Sequence, residues 1–112
     1  MDEILKNPCK VEFIKRLASS SAPCLLRKNG LLNDEKEMAN IGEWPLEEIS
    51  APTLIIHGAC DGDVGIEHAH YAAEKIPKAK KIISRQGFHL LELGNDYNDL
   101  IQCRLDFFRS HR

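Results

Sequence analysis

The chain has 112 residues, 43% of them hydrophobic and 29% charged, with a net charge of −2. These values fit one small globular domain and leave no basic excess to hold nucleic acid. No run approaches the roughly 18 apolar residues of a membrane span, and the opening Met1-Asp2-Glu3 lacks the apolar stretch of a signal peptide.

Residues 1–50 read as helical and loop-broken. Pro8 suits the first turn of a helix running to about Ala18, with Phe13, Ile14 and Leu17 on one face. Cys9 lies in this helix. Ser19 to Pro23 reads as a breaker, followed by a short helix from Pro23 to Lys28 that contains Cys24 and is stopped by Asn29-Gly30. Asp34 is placed to cap a third helix, with Glu37 as capping-box partner, and Gly42 and Pro45 end it. Trp44, before Pro45, reads as a packing residue.

The composition shifts near residue 50, so 1–50 is expected to be a helical segment and 51–112 an α/β segment of one compact domain. Thr53 to His57, after Pro52, is a short β-branched apolar run of the kind found in parallel strands covered on both faces. Residues 66–76 predict a helix with Ile66, Ala69, Ala73 and Ile76 on one side, ended by Pro77. Lys81 to Ser84 predicts a second strand; the lysines before it, Lys78, Lys80 and Lys81, read as solvated. A last helix is predicted from about Asp96 to Arg109, with Leu100, Ile101, Leu105 and Phe108 at helical spacing, and it holds Cys103. The four cysteines are widely spaced without a C-x-x-C pair, so a zinc or thioredoxin-like site is not expected. Free thiols in a reducing cytoplasm are the simplest account.

A strand–helix–strand crossover joins parallel strands, so both strands end at the same sheet edge. With neighbouring strands about 4.8 Å apart, the loop from Gly58 to Gly65 and the loop from Gln86 to Leu90 lie close together. Open α/β sheets bind ligands at that edge. The first loop carries Asp61 and the second His89, which together could form an acid–base pair.

The first loop also spells Gly58-Ala59-Cys60-Asp61-Gly62, a G-x-C-x-G with cysteine in the nucleophile position. A nucleophile elbow needs a helix to start at once, whereas helical periodicity here begins only near Ile66. Asp61 beside it opposes thiolate formation. Cys60 is therefore read as a small loop residue and Asp61 as the working one, against the plainer alternative that Asp61 only shapes a turn before Gly62.

The stretches "APTLIIHGACDGDV" and "AAEKIPKAKKIISRQGFHLLEL" resemble the C-terminal part of an α/β-hydrolase: P-T-L-x-I-x-G-x-x-D-x-x-V, a helix ending in I-P-x-A, a strand, and G-x-H. "KNGLLND" and "PLEEISAPT" resemble the lid-to-strand connector, so the likeness spans roughly residues 25–112. It implies that Asp61 is the acid of a catalytic triad and His89 its general base, in an ester or acyl hydrolase. The nucleophile should precede Asp61 on a G-x-S-x-G elbow. No such motif precedes it here, and Ser19-Ser20-Ser21 lacks the flanking glycines. The oxyanion-hole loop and earlier strands have no counterpart either. The expectation is thus a partial α/β-hydrolase fold of two parallel strands, with short lid-type helices before them and a C-terminal helix on the sheet. It would be a truncated or split hydrolase, inactive alone; the alternative is a non-catalytic, self-associating α/β module.

Other candidates read more plainly. Asp63 is expected to cap the helix near Gly65–Ile66 or to face solvent. His68 and His70, at i and i+2, point apart on a helix and do not make a metal site without other ligands. His57 is expected to pack or make a supporting hydrogen bond, and His111 to lie loose near the terminus. No cofactor or metal is expected, and no nucleic-acid or membrane partner. The strand matching residues 53–57 would keep one edge unpaired, so the expected partner is a second copy joined there, or an N-terminal hydrolase half.

Overall fold

The structure, a computed structural model, describes residues 2–21 and 24–111. It is mixed α/β, with a two-stranded parallel sheet and five α-helices among the described residues. The chain divides into two compact units, Met1–Trp44 and Pro45–Arg112.

The first unit contains α1 (Asp2–Leu5), α2 (Pro8–Ser21), a 3₁₀ turn (Cys24–Arg27) and α3 (Lys28–Ala39). Asn7 starts α2: its Oδ1 accepts from the backbone amides of Cys9 (3.0 Å) and Lys10 (3.3 Å), and Pro8 fills the first helical position, where an N–H is not needed. The helix runs past the expected break at Ser19. The hydroxyls of Ser19, Ser20 and Ser21 bond back to the carbonyls of Lys15 and Leu17 at 2.7–3.0 Å, so they are satisfied within the helix rather than turning it aside. Ala22 and Pro23, the rest of the expected breaker, lie outside the described residues.

Asn29-Gly30 does not stop a helix, as expected, but sits in the first turn of α3. A glycine costs a helix about 1 kcal/mol, and the good helix formers that follow, Leu31 to Met38, outweigh it. Asp34 is consequently interior to α3, not its cap; Arg27 precedes the helix with no side-chain cap at all. The far end is closed by Asn40, whose Nδ2 donates to the Lys36 carbonyl at 2.8 Å. Trp44, expected to pack, is 66% exposed; it lies in the irregular stretch 41–45, outside any helix or strand.

The second unit holds a 3₁₀ turn (Leu46–Glu48), β1 (Thr53–Gly58), α4 (Ile66–Lys75), β2 (Ala79–Ser84), a 3₁₀ turn (Leu91–Leu93) and α5 (Tyr97–Ser110). The strands pair in parallel from Thr53 opposite Ala79 to Gly58 opposite Ser84. Pro77 ends α4 by holding Ile76 extended (φ −81°, ψ 117°), as a residue before proline prefers. The Ile76 amide closes the helix on the Ala72 carbonyl at 3.0 Å.

α4 packs on both strands and α5 on β1. The buried apolar residues are Ala69 and Ile76 of the crossover and Leu100 of α5. The face of α5 differs from the expected one: Phe107 is half-buried while Phe108 is 67% exposed and Leu105 44%. Leu100, Arg104 and Phe107, at i, i+4 and i+7, form the inward stripe, and Arg104 lines a cleft with Leu54 and Ile56. Among the described residues no helix is long and apolar enough to cross a membrane.

Candidate functional site

The parallel pairing brings the loops after β1 and β2 to one edge of the sheet. They are laced together by backbone hydrogen bonds: the Ala59 amide donates to the Ser84 carbonyl (2.8 Å) and the Cys60 amide to the Gly87 carbonyl (2.9 Å). The approach is close enough to require glycine. A Cβ placed on Gly58 would lie 2.3 Å from the Gly87 carbonyl oxygen.

Asp61 sits at the centre of this junction with its side chain 6% exposed. One carboxylate oxygen, Oδ1, accepts from the backbone amides of Asp63 and Val64, both at 2.9 Å. The other, Oδ2, faces His89 Nδ1 at 3.1 Å. The Val64 amide is the main cause that holds the Asp61 pKa below the usual carboxylate value; burial opposes it, and the Asp63 amide and His89 add to the lowering. With Asp61 ionised, His89 Nδ1 must be the donor, which fixes the neutral imidazole with its proton on Nδ1 and its Nε2 lone pair free. The His89 side chain is half-exposed.

His57 stands on the other side of the aspartate. Its Nε2 donates to the Val64 carbonyl at 3.1 Å and lies 3.8 Å from Asp61 Oδ2. It thus braces the loop whose amides hold Asp61, the supporting hydrogen bond its position at the strand end suggested. Ile56, His57, Gly58, Asp61, Val64, His89 and Leu91 line a cleft of about 210 Å³.

The remaining candidates separate clearly. Cys60 is exposed, and its thiol faces the Arg85 carbonyl at 3.6 Å. Seven residues, 59–65, separate β1 from α4, and no described non-glycine residue has positive φ. The sharp strained turn of a nucleophile elbow is therefore absent among the described residues. Cys9 and Cys103 are also exposed free thiols; the side chain of Cys24 lies outside the described residues.

Asp63 does not cap α4, whose N-cap is Gly65 with no side-chain bond. It turns instead toward the site, where one ligand atom each from Asp61, Asp63 and His89 falls within 4.8 Å of the others. These three are the residues with the spacing to share a divalent cation. His68 and His70 are not part of that cluster. His70 Nδ1 contacts Lys81 Nζ across α4 and β2. His111, expected to be loose, is tied to its own helix through Nδ1 to the Phe107 carbonyl (2.8 Å) and lies against the Phe107 ring.

What the sequence left unassigned is the role of the spacers and donors: the close approach of Gly58 and Gly87, the glycines of the two motifs, and the amides of Asp63 and Val64. The two glycines had a visible signal, since each stands at a fixed place beside Asp61 or His89.

The chain is similar to an uncharacterized hydrolase of Bacillus subtilis (strain 168), YcgS, with 32% identity over 81 residues. These residues are 72% of this chain and 28% of the relative, so the chain spans little more than a quarter of the length of the curated protein it matches. No family description and no solved structure matches the chain. The likeness supports a relationship to a hydrolase.

Proposed function

We propose that this chain is the C-terminal portion of an α/β-hydrolase of the ester or acyl type, carrying the acid and the base of a catalytic triad. Asp61 orients His89, and His89 presents Nε2 to take a proton from a nucleophile outside this chain. The observation that carries the reading is the division of three hydrogen bonds between the two oxygens of Asp61. Backbone amides fix Oδ1, which leaves Oδ2 as a positioned acceptor for His89 Nδ1–H at 3.1 Å.

In a triad the acid holds the imidazole in the correct tautomer and stabilises the imidazolium that forms as the nucleophile is deprotonated; it does not itself take the proton. A carboxylate whose pKa is lowered suits that role, because it stays ionised throughout. The hydrolase likeness supports the reaction class; no G-x-S-x-G precedes Asp61 in this sequence, so in this reading the nucleophile comes from outside these residues. In this reading the helices before residue 50 correspond to lid-type helices of such a hydrolase.

The test has two arms. The isolated chain is expected to hydrolyse a short-chain activated ester at the rate of buffer. A chimera in which residues 45–112 replace the corresponding stretch of the Bacillus hydrolase is expected to turn the ester over, and to lose activity by about 10³-fold or more in Asp61→Asn and in His89→Ala. A folded, active chimera indifferent to His89→Ala would overturn the reading.

A further inference from the structure

β1 leaves one edge open. The Thr53 amide donates to the Lys78 carbonyl (3.3 Å) and the Ala59 amide to the Ser84 carbonyl (2.8 Å). Backbone groups alternate in direction along a strand, so residues 53, 55, 57 and 59 direct theirs to β2. Leu54, Ile56 and Gly58 direct theirs the other way, where no strand stands among the described residues. The Gly58 carbonyl is already taken by the Asp61 amide at 3.1 Å. The pairing groups left on this edge among the described residues are the N–H and C=O of Leu54 and Ile56 and the N–H of Gly58.

The two outer edges of the sheet differ in charge. β2 carries Lys80 and Lys81, with Lys78 just before it, and lysines on an edge repel a second strand. From Ala51 to Cys60 there is no Asp, Glu, Lys or Arg. An uncharged, β-branched edge is a template for pairing, and two such edges meet without placing like charges opposite each other. The rest of the unit leaves much to cover. Among the described residues its buried apolar side chains are Ala69, Ile76 and Leu100, and no large side chain is fully buried.

We propose that two copies of this chain join β1 to β1 in antiparallel fashion about a two-fold axis, making a four-stranded sheet. The free groups set the register. Leu54 faces Ile56 of the partner subunit, and Ile56 faces Leu54 of the partner subunit, each pair exchanging two N–H···O=C bonds. The axis passes beside Ile55. This register brings Pro52 of the partner subunit opposite Gly58, so the partner's strand walls one side of the cleft that holds Asp61 and His89. The pairing uses neither Asp61 nor His89, so its test does not depend on the acid–base reading, although an N-terminal hydrolase half would compete for the same edge.

Amide hydrogen exchange of the unaltered protein, followed by NMR at high-micromolar and low-micromolar concentration, tests it. The amides of Leu54 and Ile56 are expected to exchange roughly tenfold slower or more at the higher concentration and to lose that protection on dilution. The amides of Ile55 and His57, bonded to β2, stay protected at both. Sedimentation should show a dimer at the higher concentration. Leu54→Pro removes only an outward N–H, which an edge strand tolerates, and is expected to be folded and monomeric. Free exchange of Leu54 and Ile56 at both concentrations overturns the proposal. So does a monomer throughout, or a dimer that persists in folded Leu54→Pro.

Discussion

Gly58 and Gly87 touch backbone to backbone: a Cβ on Gly58 would stand 2.3 Å from the Gly87 carbonyl oxygen and 2.6 Å from that of Phe88. This contact lets the Cys60 amide reach the Gly87 carbonyl, and so holds the Asp61 loop against the His89 loop. Gly58→Ala therefore forces the loops apart. Overpacking of this kind costs about 1–3 kcal/mol, and the midpoint of urea unfolding should fall accordingly. The more specific readout is the ¹⁵N shift of His89 Nδ1, which should lose its fixed protonated signature as the 3.1 Å bond to Asp61 opens. An unaltered shift would mean that the glycine contact does not position the histidine.

The two oxygens of Asp61 do separate work, and two substitutions separate them. Asp61→Asn keeps an acceptor for the Asp63 and Val64 amides but can turn a donor toward His89 Nδ1, which favours the other tautomer. Asp61→Ala removes the acceptor from both amides as well. The expected order of stability is wild type, then Asn, then Ala, with the histidine tautomer disturbed in both variants. Denaturant unfolding and the His89 ¹⁵N shifts check the order. Equal stabilities of Asn and Ala would show that the amides find water instead.

The pH dependence follows from the same bonds. Asp61 has a lowered pKa in the folded chain, first through the Val64 amide. A carboxylate with a depressed folded pKa contributes its stability in full above the unfolded pKa, about 3.9, and loses it as pH falls through the folded value. The difference in unfolding free energy between wild type and Asp61→Ala should be level at neutral pH and shrink as the pH drops below about 4. A difference that grew on acidification would contradict the assigned direction.

The elements around this site were legible in the sequence because their signals are local. Pro52 and Pro77 punctuate β1 and α4, Thr53 to His57 is β-branched, and the crossover order fixes a parallel pair. From that topology alone Asp61 and His89 fall on one edge. What escaped the reading depends on competition or on three-dimensional approach. Asn29-Gly30 has the letters of a helix stop, but the helix formers beyond it carry α3 through. Phe107 and Phe108 are adjacent and equally apolar, and only packing beside Arg104 decides which faces inward. Asp63 is exposed, one of the two placements its sequence suggests, but nothing in the letters shows that its amide and a carboxylate oxygen both lie beside Asp61. Trp44 has the size of a core residue, but no helix or strand forms around it.

Ser84, at the end of β2, is 2% exposed, and its hydroxyl has no hydrogen-bond partner. It lies under Gly87, whose added Cβ would meet the Ser84 oxygen at 2.4 Å. A buried donor left unmade is a cost, and deleting it is near neutral or favourable. Ser84→Ala should leave stability unchanged or raise it by up to about 1 kcal/mol. Ser84→Thr should be less stable than either, because its extra methyl has to be fitted beneath the Gly87 backbone. Thermal unfolding of the three proteins decides this, and a clear loss in Ser84→Ala would mean that the hydroxyl is satisfied in solution.

Cys60 offers the sharpest check on where the nucleophile is not. Its thiol is exposed and bonded only weakly to the Arg85 carbonyl, and it is followed by an irregular loop instead of a helix. Cys60→Ser should therefore leave unfolding and the His89–Asp61 bond unchanged, and should not alter ester turnover in the chimera. Alkylation of the thiol should proceed at the same rate in the wild type and in His89→Ala. Rapid alkylation at neutral pH that slowed in His89→Ala would instead show that the histidine activates Cys60, and would return the G-x-C-x-G stretch to the role its letters suggest.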